Sequence, residues 1–152
     1  MVMMEIEKHQ TVPSAKKTYA YYPGCSLHST AREYDVSGRL VCEALNIELK
    51  ELEGWICCGA TAAHATDHLL SLALPAHNLK LAEEAGLPIA VPCAMCFSRL
   101  KLTIQGIENK KTKELVERAI DAKLEKIVDV LSILQVLDVP IPEGKIKKSL
   151  KG

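Results

Sequence analysis

Thr18-Tyr19-Ala20-Tyr21-Tyr22-Pro23-Gly24-Cys25 is the stretch from which the fold can be read. Its β-branched and aromatic side chains suit a pleated strand, and Pro23-Gly24 is a turn signal. The run is therefore a strand ending in a loop, with Cys25 just past its end. The arrangement recurs downstream. Ile89-Ala90-Val91 reads as a short buried strand, and Pro92 and Cys93 follow it. Between the two, Ile47, Leu49 and Leu52 among charges predict a strand over 47–52, and Gly54-Trp55-Ile56 then leads into Cys57-Cys58-Gly59.

Helical patterns separate these strands. Val36, Leu40 and Ala44 recur at helical spacing, widened by Val41 and Leu45, and predict a helix over 30–46. Ser29 or Thr30 is its expected N-cap. Residues 60–74, rich in Ala and Leu, predict a second helix. Pro75 suits the first turn of a further helix reaching 85 and closed by Gly86. An amphipathic helix is expected over 94–107 and another over 112–123. The apolar run 126–137 predicts a brief strand turning into helix near Asp129. Strands alternating with helices imply an α/β domain: a small, mostly parallel sheet flanked by helices, Rossmann-like. Parallel strands end on one edge, where ligands of open α/β sheets collect. The topology thus gives three distant cysteine segments a reason to converge.

Their spacing is C-x31-C-C-G-x33-C-x-x-C. Soft thiolates select zinc, copper(I) or iron–sulfur clusters. In Cys93-Ala94-Met95-Cys96 the two sulfurs share one face of a helix start, where the helix dipole favours thiolate. Adjacent cysteines in extended chain point to opposite sides. Cys57 and Cys58 therefore share a site only through a turn, or by gripping different parts of something larger than one ion. Structural zinc and a cubane cluster each take four ligands. Five cysteines remain once Cys42, a small core residue within the first helix, is set aside. Either one is a spectator or the metal centre is unusual. A lone C-x-x-C is weak evidence, whereas the three-part constellation is strong.

The bulk of the chain narrows the function classes. A length of 152 residues suits one domain with a real core. Formal net charge is zero and aromatics are 4%, so neither a phosphate-binding footprint nor a base-stacking surface is expected. No apolar run is long enough for a membrane span, and residues 1–17 lack an apolar signal core, so a cytoplasmic location is expected. Six cysteines in such a chain read as metal or redox chemistry rather than a disulfide framework.

Longer segments around the cysteines carry a resemblance. They are Tyr21-Tyr22-Pro23-Gly24-Cys25-Ser26, Thr30-Ala31-Arg32-Glu33-Tyr34-Asp35, Trp55-Ile56-Cys57-Cys58-Gly59-Ala60-Thr61, Ala73-Leu74-Pro75-Ala76-His77-Asn78-Leu79 and Pro92-Cys93-Ala94-Met95-Cys96-Phe97-Ser98-Arg99-Leu100-Lys101. Over residues 18–152 the chain resembles the B-subunit of heterodisulfide reductase, and within it the N-terminal cysteine-rich CCG domain. The resemblance implies a noncubane 4Fe-4S cluster held by Cys25, Cys57, Cys58, Cys93 and Cys96. It implies a division into a flexible extension over 1–16, a CCG iron–sulfur domain over 17–139, and a linker over 140–152 toward a second CCG domain. Members of that family carry two such domains in tandem, with the disulfide substrate between them, and this chain has one motif.

The implied reaction is reduction of the coenzyme M–coenzyme B mixed disulfide, a step of methanogenesis, or of a related disulfide. Electrons would arrive through two partner subunits of the heterodisulfide reductase complex, one carrying flavin and iron–sulfur clusters and one ferredoxin-like. The alternative is an electron-transfer module of the glycolate, lactate or succinate oxidoreductase kind; a zinc-stabilised interaction domain is a third class. His28, His64, His68 and His77 lie near the motif. His64, six residues after Cys58, can donate to a cluster sulfur or sit on a helix surface. Arg99 and Lys101 read either as attractors of an anionic substrate or as a solvated helix face. Trp55 reads as a water shield or as core.

Overall fold

The computed structural model describes residues 16–60 and 62–139. The expected N-terminal extension, apart from Lys16, and the expected linker over 140–152 lie outside the described residues. Four strands form one fully parallel sheet: β1 Lys17–Tyr21, β2 Ile47–Glu51, β3 Ile89–Val91 and β4 Val130–Ser132, in the order β2-β1-β3-β4. Six helices accompany it among the described residues: α1 Arg32–Ala44, α2 Ala62–Thr66, α3 His68–Ala85, α4 Ala94–Gly106, α5 Lys110–Ala119 and α6 Ile133–Val136. The small parallel α/β domain expected from the sequence is the fold found. β3, between β1 and β4, is apolar and buried throughout, as a central parallel strand must be.

Alternation along β1 divides the core. Ala20 and Tyr22 face a cluster with Leu79, Ile89, Val91, Leu100 and Val130, and Cys58 and Cys96 belong to that cluster. Tyr21 faces the other side with Cys42, Ile47, Ala90, Ile133 and Val136. A third cluster, Leu72, Ala76, Ile107, Val116 and Leu124, includes residues of α3 and α5. Cys42 is fully buried, as expected of a core residue.

Several expectations are corrected. Neither Ser29 nor Thr30 caps α1. Ala31 stands at the cap without a side-chain bond, and the Ser29 hydroxyl instead donates to the Cys25 carbonyl at 3.0 Å, closing the turns that follow Cys25. The stripe that predicted α1 also faces outward, with Val36, Leu40 and Val41 about half exposed. The inward face sets polar groups beside the buried Cys42: the Tyr21 hydroxyl donates to Asp35 at 2.6 Å, and Arg39 lies 4.3 Å over the Tyr21 ring. These bonds anchor α1 by its charged side.

Pro75 does not begin a helix; it lies inside α3. The break comes earlier, at Asp67, whose backbone is extended and whose carboxylate accepts the Leu70 N–H at 2.7 Å. Asp67→Ala is expected to cost about 1 kcal/mol of unfolding free energy, with Asp67→Asn recovering most of it. Urea titration of the three proteins checks this, and equal midpoints would refute the cap. The helix expected over 112–123 starts and stops earlier. Asn109 caps it by accepting the Thr112 N–H, and Asp121 takes a left-handed φ of 51° while Glu117 turns its carboxylate to the Leu124 N–H and Lys123.

Candidate metal centre

Cys25 follows β1, Cys57-Cys58 follow β2, and Cys93 follows β3, so all three segments leave the same edge of the parallel sheet. Their sulfurs meet in two pairs. Cys57 Sγ lies 3.7 Å from Cys25 Sγ, and Cys58 Sγ lies 3.5 Å from Cys96 Sγ. Cys25 and Cys57 are exposed, Cys58 and Cys96 are buried, and Cys93 is half-buried. The adjacent cysteines thus diverge, one toward each pair. Among the described residues no three His, Cys, Asp or Glu groups are placed to hold a single ion. The pair separations do suit shared metals, since two thiolates bound at about 2.3 Å to one tetrahedral ion lie about 3.8 Å apart. The donor set fits a thiolate-bound centre with more than one metal.

Two glycines let the loops close. Gly24 has φ of 77°, and a Cβ there would stand 2.8 Å from Cys96 Sγ. Gly59 has φ of 68°, and a Cβ there would stand 2.6 Å from the Leu74 side chain and 2.7 Å from Ala63. The backbone of the first cysteine loop therefore packs directly on the sulfur of the third. Cys93 caps α4 with an extended backbone, and its carbonyl accepts the Phe97 N–H at 2.9 Å. Cys96 sits one turn in, on the face buried beneath the sheet edge.

Residues not singled out from the sequence hold the loop before the cysteine pair. Asn78, fully buried in α3, grips Ile56 at both ends: the Ile56 N–H donates to Oδ1 at 2.9 Å, and Nδ2 donates to the Ile56 carbonyl at 2.9 Å. The Tyr22 hydroxyl donates to the same carbonyl at 2.8 Å. An amide within the run Leu72 to Leu79, which is apolar apart from it and His77, was the available signal. Glu51, at the end of β2, accepts from Trp55 Nε1 at 3.0 Å and lies 3.0 Å from His28 Nε2; Arg39 also pairs with it. Although burial opposes it, Trp55 and Arg39 hold the Glu51 carboxyl below its ordinary range. One carboxylate thereby ties the loop after Cys25 to the loop before Cys57. Trp55 packs edge-on against Tyr22 and His28.

The histidine and basic candidates are sorted by their surroundings. His64 is exposed on α2 and His68 is exposed at the start of α3. His77 Nε2 lies 3.2 Å from the Gly54 carbonyl. Lys101 is exposed, 5.7 Å from the Phe97 ring centre. Arg99 overturns both expectations for it. It is 7% exposed, on neither a solvated face nor an open anion-attracting one.

Thiol ionisation follows the pairing. The Cys96 thiol, as donor, lowers the Cys58 pKa to about 6 against the opposing effect of burial, with the Ala60 N–H and the Arg99 charge adding to it. The same bond, with burial, pushes Cys96 far up, so the pair retains one proton between two sulfurs. At Cys57 the Gly59 N–H favours thiolate, but burial and the neighbouring Cys25 and Cys58 outweigh it and raise the pKa. Replacing protons by metal removes this competition.

The chain is similar to known proteins. The chain is 35% identical over 142 residues to an 8-methylmenaquinol:fumarate reductase membrane anchor subunit of Wolinella succinogenes, covering 90% of this chain and 50% of that protein. It is 27% identical over 139 residues to a protein of Archaeoglobus profundus described as like the B-subunit of heterodisulfide reductase, covering 88% of this chain and 46% of that one. The chain spans about half the length of the curated relatives it matches. Both relatives are named for reductases. No helix among the described residues is long and apolar enough to cross a membrane. The family model of the cysteine-rich domain called CCG matches residues 19–101, more than half of the chain and all five converging cysteines, and the chain belongs to that family.

Proposed function

We propose that this chain is an iron–sulfur electron-transfer domain of a multi-subunit reductase, with Cys25, Cys57, Cys58, Cys93 and Cys96 as ligands of a noncubane 4Fe-4S cluster. The observation that carries it is the arrangement of four sulfurs as two pairs, 3.7 and 3.5 Å apart, beside a fifth thiol at a helix start. One zinc ion needs four donors in a single shell, whereas two separate thiolate pairs suit several linked irons. When bound, the cluster supplies one-electron transfer. The chain's own residues do the rest. The Gly59 and Ala60 N–H groups donate to the sulfurs of Cys57 and Cys58. Tyr22 and Asn78 fix the approach to the cysteine pair. Burial of Cys58 and Cys96 keeps water from one side, and exposure of Cys25 and Cys57 leaves the other open to a partner or substrate.

The relative named for heterodisulfide reductase supports a disulfide as the final acceptor. Breaking one S–S bond takes two electrons and two protons and yields two thiols. That chemistry belongs to an assembly with a second CCG domain, fed by a flavin-carrying iron–sulfur partner and a ferredoxin-like partner. The fumarate reductase relative favours a second reading, electron transfer alone, with a membrane-bound partner. Anaerobic reconstitution with iron and sulfide tests the common core. The expected product is brown, holds iron and sulfide in equal amounts, and is paramagnetic in one redox state. A colourless protein with one tightly held zinc would overturn the proposal. A change in the paramagnetic spectrum on adding thiol separates the disulfide reading from simple electron transfer.

A further inference from the structure

Arg99 is a buried cation with no carboxylate partner among the described residues. No carboxylate among the described residues pairs with it, and its Nε has no hydrogen-bond partner among them. Among the described residues its side chain bonds from Nη2 to the Ser71 carbonyl at 2.9 Å. That acceptor exists because of Pro75. Proline has no N–H to offer the carbonyl four residues back, so the Ser71 carbonyl stands free within α3 and Arg99 takes it. A carbonyl dipole does not neutralise a guanidinium. Burying a charge on such terms is costly unless an anion completes the arrangement.

The anion is close by. Arg99 and Cys96 are three apart on α4 and share a face. Long helical side chains lean toward the N-terminus of their helix, which here is the Cys93–Cys96 end. Cys96 in turn lies 3.5 Å from Cys58, and both sulfurs are buried, where charge is weakly screened. We propose that Arg99 is the fixed positive charge that balances the Cys58–Cys96 side of the metal-loaded centre and holds its reduced state. This rests on the iron–sulfur reading above. Reduction adds an electron to a site that already carries thiolate charge, and a buried guanidinium one helical turn away favours the more negative state. Arg99 acts as a positioning charge with no bond to metal. Pro75 belongs to the same device, because it makes the acceptor that keeps the guanidinium in place.

The test compares wild type, Arg99→Met and Arg99→Lys as full chains. After reconstitution with iron and sulfide, a potential titration monitored by EPR reads the midpoint. Arg99→Met is expected to shift the one-electron equilibrium at least tenfold toward the oxidised state, a fall of about 59 mV. Arg99→Lys, which keeps the charge, recovers most of the shift. In the metal-free chain, Arg99→Met raises the urea midpoint, because a buried charge without a carboxylate partner has gone. A structural role alone predicts a lower urea midpoint and an unmoved potential. If wild type and Arg99→Met load iron equally and share one midpoint potential, the counter-charge is refuted while the iron–sulfur reading stands. If wild type takes up no iron, that reading falls, and the metal-free comparison still decides Arg99: a lower urea midpoint for Arg99→Met overturns its assignment.

Discussion

Cys58→Ala is expected to leave a folded chain that no longer retains iron. Cys58 is 2% exposed and packs in the main core cluster. Its loss as a packing group therefore costs about 1 kcal/mol, in keeping with removal of one small buried group. Its loss as a ligand is of another order. The sulfur faces Cys96 at 3.5 Å, while its neighbour Cys57 points away to Cys25 at 3.7 Å. Nothing adjacent can substitute, because Cys57 cannot reach the Cys96 side without opening its own pair. Structural metal sites contribute roughly 10 kcal/mol or more to the folded state they close. A missing thiolate from the buried pair is therefore expected to reduce iron retained after gel filtration to background. Cys42→Ala is the matched control. Cys42 is fully buried on the opposite face of the sheet, with Tyr21 and Ile47. It should show a similar loss of stability and full iron content. Equal iron in Cys58→Ala and wild type would remove Cys58 from the ligand set.

Gly24→Ala has the second large expected effect, and its cause is steric. At φ of 77° an alanine costs about 1–2 kcal/mol from backbone conformation alone. Its Cβ would also stand 2.8 Å from Cys96 Sγ, too near for both atoms to stay. The first cysteine loop or the Cys96 sulfur must shift, and either movement disturbs the placement of Cys25 or of the Cys58–Cys96 pair. Gly54→Ala separates the two causes. Gly54 has nearly the same φ, 78°, but open space where a Cβ would project. Gly54→Ala should therefore lose stability by the backbone term and reconstitute normally. Gly24→Ala should lose stability further and retain little iron. Matching urea midpoints and matching iron in the two variants would show that the contact between Gly24 and Cys96 plays no part.

Local patterns made some elements legible in the sequence and left others hidden. β3 and α4 were legible to within a residue, because Ile89 to Val91 is apolar throughout and Pro92-Cys93 stops the strand. Gly86 closed α3 as expected, with a left-handed φ of 64°. Helix boundaries set by single side chains were not legible. Pro75 is a strong local signal for a helix start, yet α3 runs through it, since Asp67 caps the helix two turns earlier and Arg99 takes up the carbonyl that Pro75 leaves free. The face of α1 was hidden for a similar reason. Spacing of Val36, Leu40 and Val41 predicts a helix, but which side turns inward depended on bonds from Tyr21 to Asp35 and from Arg39 to Glu51.

The sequence by itself determined the α/β class and the convergence of the cysteine segments. Strand patterns ending in Pro and Gly just before cysteine are local facts, and parallel strands must deliver their ends to one edge. It also put five cysteines in those three segments, leaving open whether one is a spectator. Only the tertiary structure decided how they divide. That Cys57 meets Cys25 while Cys58 meets Cys96, and that Gly24 lies against the Cys96 sulfur, depend on loop paths fixed by Asn78, Tyr22 and Glu51 from distant elements. The burial of Arg99 beside them was equally invisible. Its helix position permits a solvated face or a buried one, and the choice was made by a carbonyl on another helix.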